Sequence, residues 1–286
     1  MNQKSEFALY DALAVSTSRE ITKAYSTSFS LAVRTLGREL HDPIYSIYAL
    51  VRLADEIVDS WHSLNQEAQL NRFEDDCKQA VADNYSNNPV LHAFARVANR
   101  YSIDYSLVDA FFHSMRLDLA KTTYTQSEYE NYIYGSAEVV GLMCLCVFID
   151  GDQAEYDHLL AGAKALGAAF QKVNFLRDLG ADNDSLGRMY FPNITGKTIS
   201  EADKETIIED IERDFAKALI AINQLPKSSR IGVKLAYTYY LELLDKLKSI
   251  PALELRTRRV RVSNAKKLRL LTQITVKERL MKGGSK

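Results

Sequence analysis

The sequence predicts an all-α protein, and three observations support this fold class. Its 286 residues include only 12 glycines and 5 prolines, about half the average share of these helix breakers. Apolar residues recur at helical spacing from one end of the chain to the other. They make up 47% of the chain, which is enough for a substantial core. We therefore expect one helical domain covering residues 1–286.

The clearest helix start is at Asp42-Pro43, because Asp42 can cap the helix and Pro43 fits its first turn. The helical period continues from there to Ser60. The same pattern predicts further helices at 6–25, 64–84, 89–100, 104–120, 127–149, 153–179, 200–223, 227–249 and 262–281. Residues 179–196 are the longest stretch without it, which predicts an active-site loop.

The sequence shows neither a secretion signal nor an obvious membrane span. The longest continuous apolar run, residues 139–149, has 11 residues, whereas a spanning helix needs about 20. The three cysteines, Cys77, Cys144 and Cys146, do not form a disulfide framework, which favours free thiols in a reducing compartment. We expect a cytoplasmic protein.

Basic residues are concentrated at the C-terminal end. Residues 256–286 contain 11 lysines and arginines and a single acidic residue, Glu278, whereas the rest of the chain is acidic. Apolar residues repeat among them, so residues 256–282 form a basic amphipathic segment. One interpretation is peripheral contact with an anionic membrane at its inner face. The other is a last helix that packs on the acidic body. Nucleic-acid binding is not expected.

Two predicted helices carry many small residues, at 135–137 with Gly141 and at 161–163 with 167–169. Small residues allow helices to pack closely. They also suit a thin wall beside a long apolar ligand, since bulky side chains would block such a channel. The pattern alone leaves both interpretations open.

Two aspartate pairs carry the chemical information in this sequence. Asp55 and Asp59 lie four residues apart in one predicted helix, and Asp178 and Asp182 lie four apart near the end of another. This spacing places both carboxylates of a pair on one helix face, where their repulsion costs about 0.2–0.5 kcal/mol. A positive partner must offset that cost.

Each aspartate pair has polar neighbours on its own helix face. Tyr48 and Arg52 precede the first pair, and Gln171, Asn174 and Arg177 precede the second. If the two faces meet, their oxygen ligands suit Mg²⁺, or Mn²⁺, shared with substrate phosphates. The arginines can hold diphosphate oxygens. A solvated face would explain one pair, but two pairs with arginines in register favour a binding site.

Five sequence blocks resemble those of the squalene/phytoene synthase family, in the family's order and at similar spacing. They are YSTSFS at 25–30, YSIYALVRLADEIVD at 45–59, Tyr134-Gly135, QKVNFLRDLGAD at 171–182 and GRMYFP at 187–192. Two positions depart from the family pattern: Ala181 replaces a common acidic residue and Lys172 a usual apolar one. The resemblance implies a single-domain isoprenoid-synthase helical fold around a central cavity.

The resemblance also implies roles for individual residues. Asp55, Asp59, Asp178 and Asp182 would bind Mg²⁺ together with Asn174, and Tyr134 would be a further catalytic residue. The substrate-binding residues would be Ser26, Ser28, Tyr48, Arg52, Gln171, Asn174, Arg177, Tyr190, Tyr240 and Arg259. Asp118 resembles another acidic position of the family.

The implied reaction joins two prenyl diphosphates head to head through a cyclopropyl diphosphate intermediate. A phytoene synthase, which uses geranylgeranyl diphosphate and ends by proton loss, is favoured because the chain is compact and shows no C-terminal anchor. The alternatives are a squalene or dehydrosqualene synthase that uses farnesyl diphosphate, and NADPH is needed only for squalene. A non-catalytic scaffold protein is disfavoured because all four aspartates are present.

Overall fold

The computed structural model of the chain describes residues 3–60, 62–120, 122–185, 189–192, 194, 199–255, 257, 260–263, 265–266 and 269–274. For residues 3–6 and 180–185 it describes the backbone alone. These residues contain no strand, which confirms the all-α prediction. The helices α1 to α11 are Gln3–Tyr25, Thr27–Val33, Arg38–Asp59, Gln66–Asp83, Pro89–Arg100, Tyr105–Ala120, Gln126–Ile133, Val139–Phe148, Gln153–Ser185, Glu201–Gln224 and Lys227–Lys248.

Most predicted helix bounds agree with the structure to within three residues. Helix α2 was not predicted, because seven residues are too few to show a period. Its start is fixed locally: the Ser26 hydroxyl oxygen accepts a hydrogen bond from the Phe29 N–H at 3.2 Å. The helix predicted at 262–281 lies partly outside the described residues. Within this span, residues 265, 266 and 269–274 are described as helical.

The predicted start of α3 at Asp42-Pro43 is wrong. Helix α3 begins at Arg38, so Pro43 lies inside it. So close to the helix start, the missing proline N–H removes only one backbone hydrogen bond, and the helix continues. Asp42 instead forms an ion pair with Arg19 of α1 at 2.6 Å.

The predicted loop at 179–196 begins later than expected, since α9 continues to Ser185. One glycine, Gly180, does not end a helix, and no proline follows before Pro192. Residues 189–192 are described and are not helical. The Met189 N–H donates to the Thr122 carbonyl at 2.8 Å, which ties this segment to the end of α6.

Buried apolar side chains form two clusters. The first is built mainly by α3, α4, α5, α6 and α8 and contains Leu50 and Phe94. The second is built mainly by α7, α9, α10 and α11 and contains Val173 and Leu244. A cavity lies between them, because its lining residues come from both clusters. The fold therefore places an internal space between two packed halves.

Helices α7 and α8 are joined without a break by a π-helical turn, Tyr134–Glu138. The combined helix, Gln126–Phe148, is long and apolar enough to cross a membrane by length and composition. The 11-residue apolar run did not indicate this. However, 56% of its most apolar window is buried inside the protein, as expected for a central core helix.

Gly162 and Gly167 of α9 are points of close contact with neighbouring parts of the chain. A Cβ at Gly167 would lie 2.7 Å from the Ala137 carbonyl oxygen, and one at Gly162 would lie 2.1 Å from the Ala221 Cβ. Any side chain there would push two helices apart. Because Gly162 and Gly167 also line the cavity, this close packing makes the cavity wall thin at these residues.

Candidate active site

The central cavity has a volume of about 310 Å³ and is lined by α2, α3, the π turn and α8 to α11. Its wall is mostly apolar. The polar lining groups are Tyr48 of α3, Ser136 of the π turn, Gln171 and Asn174 of α9, and Tyr240 of α11. Four of these five residues, all except Ser136, are candidates from the sequence, and the fold brings them to one place from three separate parts of the chain.

Hydrogen bonds connect most of these polar groups. The Tyr240 hydroxyl donates to Asn174 Oδ1 at 3.3 Å, and the Asn174 amide donates to Gln171 Oε1 at 3.5 Å. The Gln171 amide donates to Ser136 Oγ at 3.3 Å. The Tyr240 ring stacks on Phe170 with 3.9 Å between ring centroids. These long hydrogen bonds place the polar groups together at one end of the cavity.

Helix α3 supplies the second side of this polar end. The Tyr48 ring stacks on Phe29 at 4.6 Å, and its hydroxyl is hydrogen-bonded with Ser26, the residue that caps α2. One turn further along α3, Arg52 donates to Asp55 Oδ2 at 2.6 Å and to Glu56. The Arg52 guanidinium lies 4.5 Å from the centroid of the Tyr25 ring, and its buried Nε has no hydrogen-bond partner among the described residues.

Asp55 lies in a group of like charges. Burial and, next, the Asp59 carboxylate raise the pKa of Asp55 to about 7, against the opposing effect of Arg52. The more distant Asp118 adds to the rise. The side chain of Asp55 is still 36% exposed, so this carboxyl group lies in a cleft that protein surrounds but does not close.

Helix α9 holds its aspartate differently. Arg177 forms a two-point hydrogen bond with its neighbour Asp178, with 3.0 Å between Nε and Oδ1 and a second bond from Nη2 to Oδ2. Both side chains are largely buried. Asp182 follows one helical turn later, but its side chain lies outside the described residues.

Asp118 of α6 is buried and accepts hydrogen bonds from three tyrosine hydroxyls. The donors are Tyr124 at 3.2 Å, Tyr190 at 3.1 Å, and Tyr132. A buried carboxylate requires such donors. Tyr190 was expected to contact diphosphate, but here its hydroxyl is bonded to Asp118 and its ring stacks on Phe175 of α9 at 4.0 Å.

Sequence reasoning missed Tyr124 and Tyr132, although a signal was present. Asp118 stands in a predicted helix with an apolar face, and several tyrosines follow within 16 residues. Buried acids and tyrosine hydroxyls are natural partners. The Asp118 carboxylate joins the end of α6, helix α7 and the segment around Tyr190.

The structure does not bring all candidates to the cavity. The Tyr134 ring is 36% exposed and lies under the Lys164 ammonium at 5.0 Å, on a different side of the helix from the cavity-lining Ser136. Spacing along one helix could not predict this, because the π turn changes which side each residue faces. Ser28 is half-buried on α2 and is not among the lining residues. Arg259 lies outside the described residues.

Lys172 departs from the resembled family for a visible reason. It lies on the side of α9 that faces α10, where its ammonium is paired with Asp210 and, at 2.7 Å, with Asp214. Its charge is therefore balanced away from the cavity, and the neighbouring Gln171 is free to line the polar end.

The residues present fit a divalent cation that is shared with a phosphate ligand. On α3 the Asp59 carboxylate raises the pKa of Asp55, a repulsion that a cation would relieve, and the polar groups that line the polar end offer hard oxygen or amide ligands. Among the described side chains, no three carboxylate, histidine or cysteine groups converge on one point. A cation here would thus need ligand oxygens in addition to protein groups.

Comparison with known proteins gives a consistent result. Residues 22–266 match the family model described as squalene/phytoene synthase. A chloroplastic phytoene synthase 3 from Zea mays is 28% identical over 88% of this chain and 63% of its own length. A 4,4'-diapophytoene synthase from Staphylococcus haemolyticus is also 28% identical, over 68% of this chain and 66% of its own length. The chain thus spans slightly less than two thirds of these relatives.

Solved structures share the fold at lower identity. A dehydrosqualene synthase crystallised with a ligand superposes with a TM-score of 0.80 at 23% identity, covering 96% of this chain and 99% of that one. A squalene synthase from Alicyclobacillus acidocaldarius gives a TM-score of 0.72 at 20% identity, covering 82% of this chain and 93% of the other. The helical arrangement described above is therefore that of these proteins.

Proposed function

Because this chain belongs to the squalene/phytoene synthase family, we propose that it joins two molecules of geranylgeranyl diphosphate head to head and forms phytoene. Members of the family are prenyltransferase-type enzymes. In the first half-reaction diphosphate leaves C1 of one substrate, the double bond of the other substrate attacks that carbon, and one proton is lost as a cyclopropyl diphosphate forms. In the second, the remaining diphosphate and another proton leave as the ring rearranges to the 1–1′ linked product.

The observation that carries the proposal is an apolar cavity whose polar end is bordered by arginine–aspartate groups. Tyr48 and Asn174 line that end from α3 and α9. Along the same helices, Arg52 and Asp55 follow Tyr48, and Arg177 and Asp178 follow Asn174. A prenyl diphosphate has the matching polarity, with a charged head and a long apolar tail.

The residues of this chain would perform three tasks. Arg52 and Arg177 would hold diphosphate oxygens, since a guanidinium forms two parallel bonds to phosphate. The apolar wall would exclude water from the carbocation and align the two prenyl chains. Tyr48 and Tyr240 present aromatic rings at the polar end, where a ring face can stabilise a passing positive charge.

Asp55, Asp59, Asp178, Asp182 and Asn174 would hold Mg²⁺, with Mn²⁺ as a substitute. The bound metal would neutralise the negative charge of the leaving diphosphate. The charge excess on α3 supports this assignment, because Asp55 binds a proton unusually tightly for an aspartate and a divalent cation can replace it.

The test is product analysis with the purified chain. Geranylgeranyl and farnesyl diphosphates are supplied separately with Mg²⁺, with and without deuterium-labelled NADPH, and a parallel reaction contains EDTA. We expect a C40 hydrocarbon from the C20 substrate, no deuterium, and no product in EDTA. A C30 product with deuterium would indicate a squalene synthase, and one without deuterium a dehydrosqualene synthase. No hydrocarbon from either substrate would contradict the proposal.

We further propose that the chain works in the cytoplasm, in peripheral contact with the inner face of an anionic membrane. The excess of basic residues in 256–286 supports this, as do the apolar tails of the substrates and the apolar product. Sedimentation with anionic vesicles should carry the chain down at low salt and release it at high salt. Equal binding to neutral vesicles, or none to anionic ones, would contradict membrane contact.

A further inference from the structure

The cavity has a closed apolar end opposite its polar end. Helix α9 lines it over many turns, from Asn174 at the polar end to Leu159 at the other. Helix α10 touches α9 where Ala221 meets Gly162, and Ile222 and Leu225 beyond this contact line the cavity and belong to the same buried cluster as Leu159. All three of these apolar residues expose 5% of their surface or less, so they close that end.

Helix geometry gives the length of the cavity. Asn174 and Leu159 are separated by 15 residues of one helix, which at about 1.5 Å per residue is roughly 22 Å. An extended carbon chain with bonds of about 1.5 Å advances about 1.25 Å per bond, so a geranylgeranyl chain reaches about 19 Å from C1 and a farnesyl chain about 14 Å. A C20 chain would thus reach the closed end, whereas a C15 chain would leave its last part unfilled and lose those contacts.

We propose that Leu159, Ile222 and Leu225 form the stop that selects a C20 prenyl chain, with Ala163 keeping the passage to it open. This inference rests on the proposed function and adds the residues that set chain length. Ala163 lies 11 residues from Asn174, about 16 Å along α9, which is between the reach of the C15 and C20 chains.

The position of Ala163 makes it a better test than the glycines of the same wall. Side chains added at Gly162 or Gly167 would strike α10 or the backbone of the π turn and disturb the fold. Ala163 already has a Cβ and lines the cavity, so a larger side chain there can extend into the space. Ala161 lies two residues away on the same helix but is exposed, which provides a matched control.

The experiment is a competition between C15 and C20 diphosphates supplied in equal amounts, with the hydrocarbons identified by mass. The wild-type chain is compared with Ala163→Phe, Leu159→Ala and the control Ala161→Phe. Wild type and Ala161→Phe should prefer C20. Ala163→Phe should shift the ratio towards C15 by about tenfold or more, the range that a filled or emptied apolar pocket produces. Leu159→Ala should keep C20 and gain activity on a C25 diphosphate.

The outcomes separate this inference from the function on which it rests. If wild type forms no hydrocarbon from either substrate, the proposed function is wrong. If wild type is active but prefers C15, both the stop and the choice of geranylgeranyl diphosphate are wrong, and only the head-to-head condensation stands. If wild type prefers C20 but Ala163→Phe keeps the wild-type ratio and Leu159→Ala gains no activity on the C25 diphosphate, the stop is wrong while the function stands. Circular dichroism checks that Ala163→Phe is folded. If it is not, Ala163→Leu decides the question by the same ratio, and Leu159→Ala decides it by activity on the C25 diphosphate.

Discussion

The two aspartate-bearing helices present their carboxylates in different ways. On α9, Asp178 is held by both arms of the adjacent Arg177. On α3, Arg52 divides its guanidinium between Asp55 and Glu56, and Asp59 lies on the same face. The pKa of Asp55 is raised to about 7 by burial and by Asp59. The Arg177–Asp178 pair of α9 is thus balanced in charge, whereas the α3 group has more negative charge than its arginine can neutralise.

This difference suggests that α3 and α9 bind different parts of the metal–diphosphate group. A carboxylate cluster with excess charge attracts a cation even before substrate arrives, whereas a pre-formed arginine–aspartate pair presents an oriented donor to phosphate. Helix α3 would then be the primary cation site, and α9 would act mainly through the orientation of Arg177. The variants below test this division from the largest expected effect to the smallest.

Removing one aspartate charge from each helix in turn should show the difference between α3 and α9 most clearly. Asp55→Asn and Asp178→Asn should each lower turnover by about 10²-fold or more, the scale of one lost electrostatic contact in a reaction centre. Only Asp55→Asn should also raise the Mg²⁺ concentration needed for half-maximal rate. Asp245→Asn, on an exposed turn of α11, is the control. Equal Mg²⁺ dependence in both variants would show that the two helices do not differ.

Replacing the two arginines by lysine should have the next largest effect. Arg177→Lys and Arg52→Lys should each raise the KM for prenyl diphosphate about tenfold, because an ammonium cannot copy the planar fork. The effect should be greater at Arg177, where both arms are oriented by one carboxylate. Steady-state kinetics would measure it, with the exposed Arg213→Lys as the control. An unchanged KM in both variants would show that these arginines do not bind the diphosphate.

A third variant tests the residue that lies between the helices. Asp118 contacts Tyr190, which stacks on α9, and its charge raises the pKa of Asp55 on α3. Asp118→Asn should lower the free energy of unfolding by about 1–3 kcal/mol, because buried hydroxyls lose their charged acceptor. Tyr124→Phe removes one of the three hydroxyls and should cost less. Denaturant titration compares them, and equal stability of all three proteins would contradict the buried network.

The smallest expected effect is a change in how stability depends on pH. A carboxyl group whose pKa is raised on folding binds its proton more tightly in the folded chain, so its stabilising effect is lost as pH rises towards the folded pKa of about 7. Asp55→Asn should therefore stabilise the protein above pH 7 and progressively less below it. After allowing for solvent screening of the exposed third, we expect about 1 kcal/mol, or about 2 °C in Tm. A gain that does not change with pH would contradict the raised pKa.

Sequence patterns predicted most of the fold because amphipathic helices carry their own signal. The predicted start of α3 was wrong because Pro43 was a misleading signal, which the helix tolerates near its start. Helix α2 was not predicted because so short a helix gives no periodic signal. Candidate residues on the faces of α3 and α9 were placed together because a constant helical spacing fixes a face. Tyr134 and the tyrosines around Asp118 could not be placed, because their positions depend on the π turn and on contacts between distant segments.

The π turn at Tyr134–Glu138 makes the winding of this segment matter more than its length. A π turn holds about one residue more than an α turn, so deleting one residue there would restore α geometry and leave α8 in nearly the same orientation relative to α7. If the same residues were instead wound as an α-helix, α8 would rotate by about 100° relative to α7, the angle that one α-helical residue spans. Gly141 and Cys144 would then leave the cavity wall, although every sequence motif would remain intact. Homologues of the same length should therefore keep the π turn, and those that lack one residue in this interval can form the same cavity wall with an α turn.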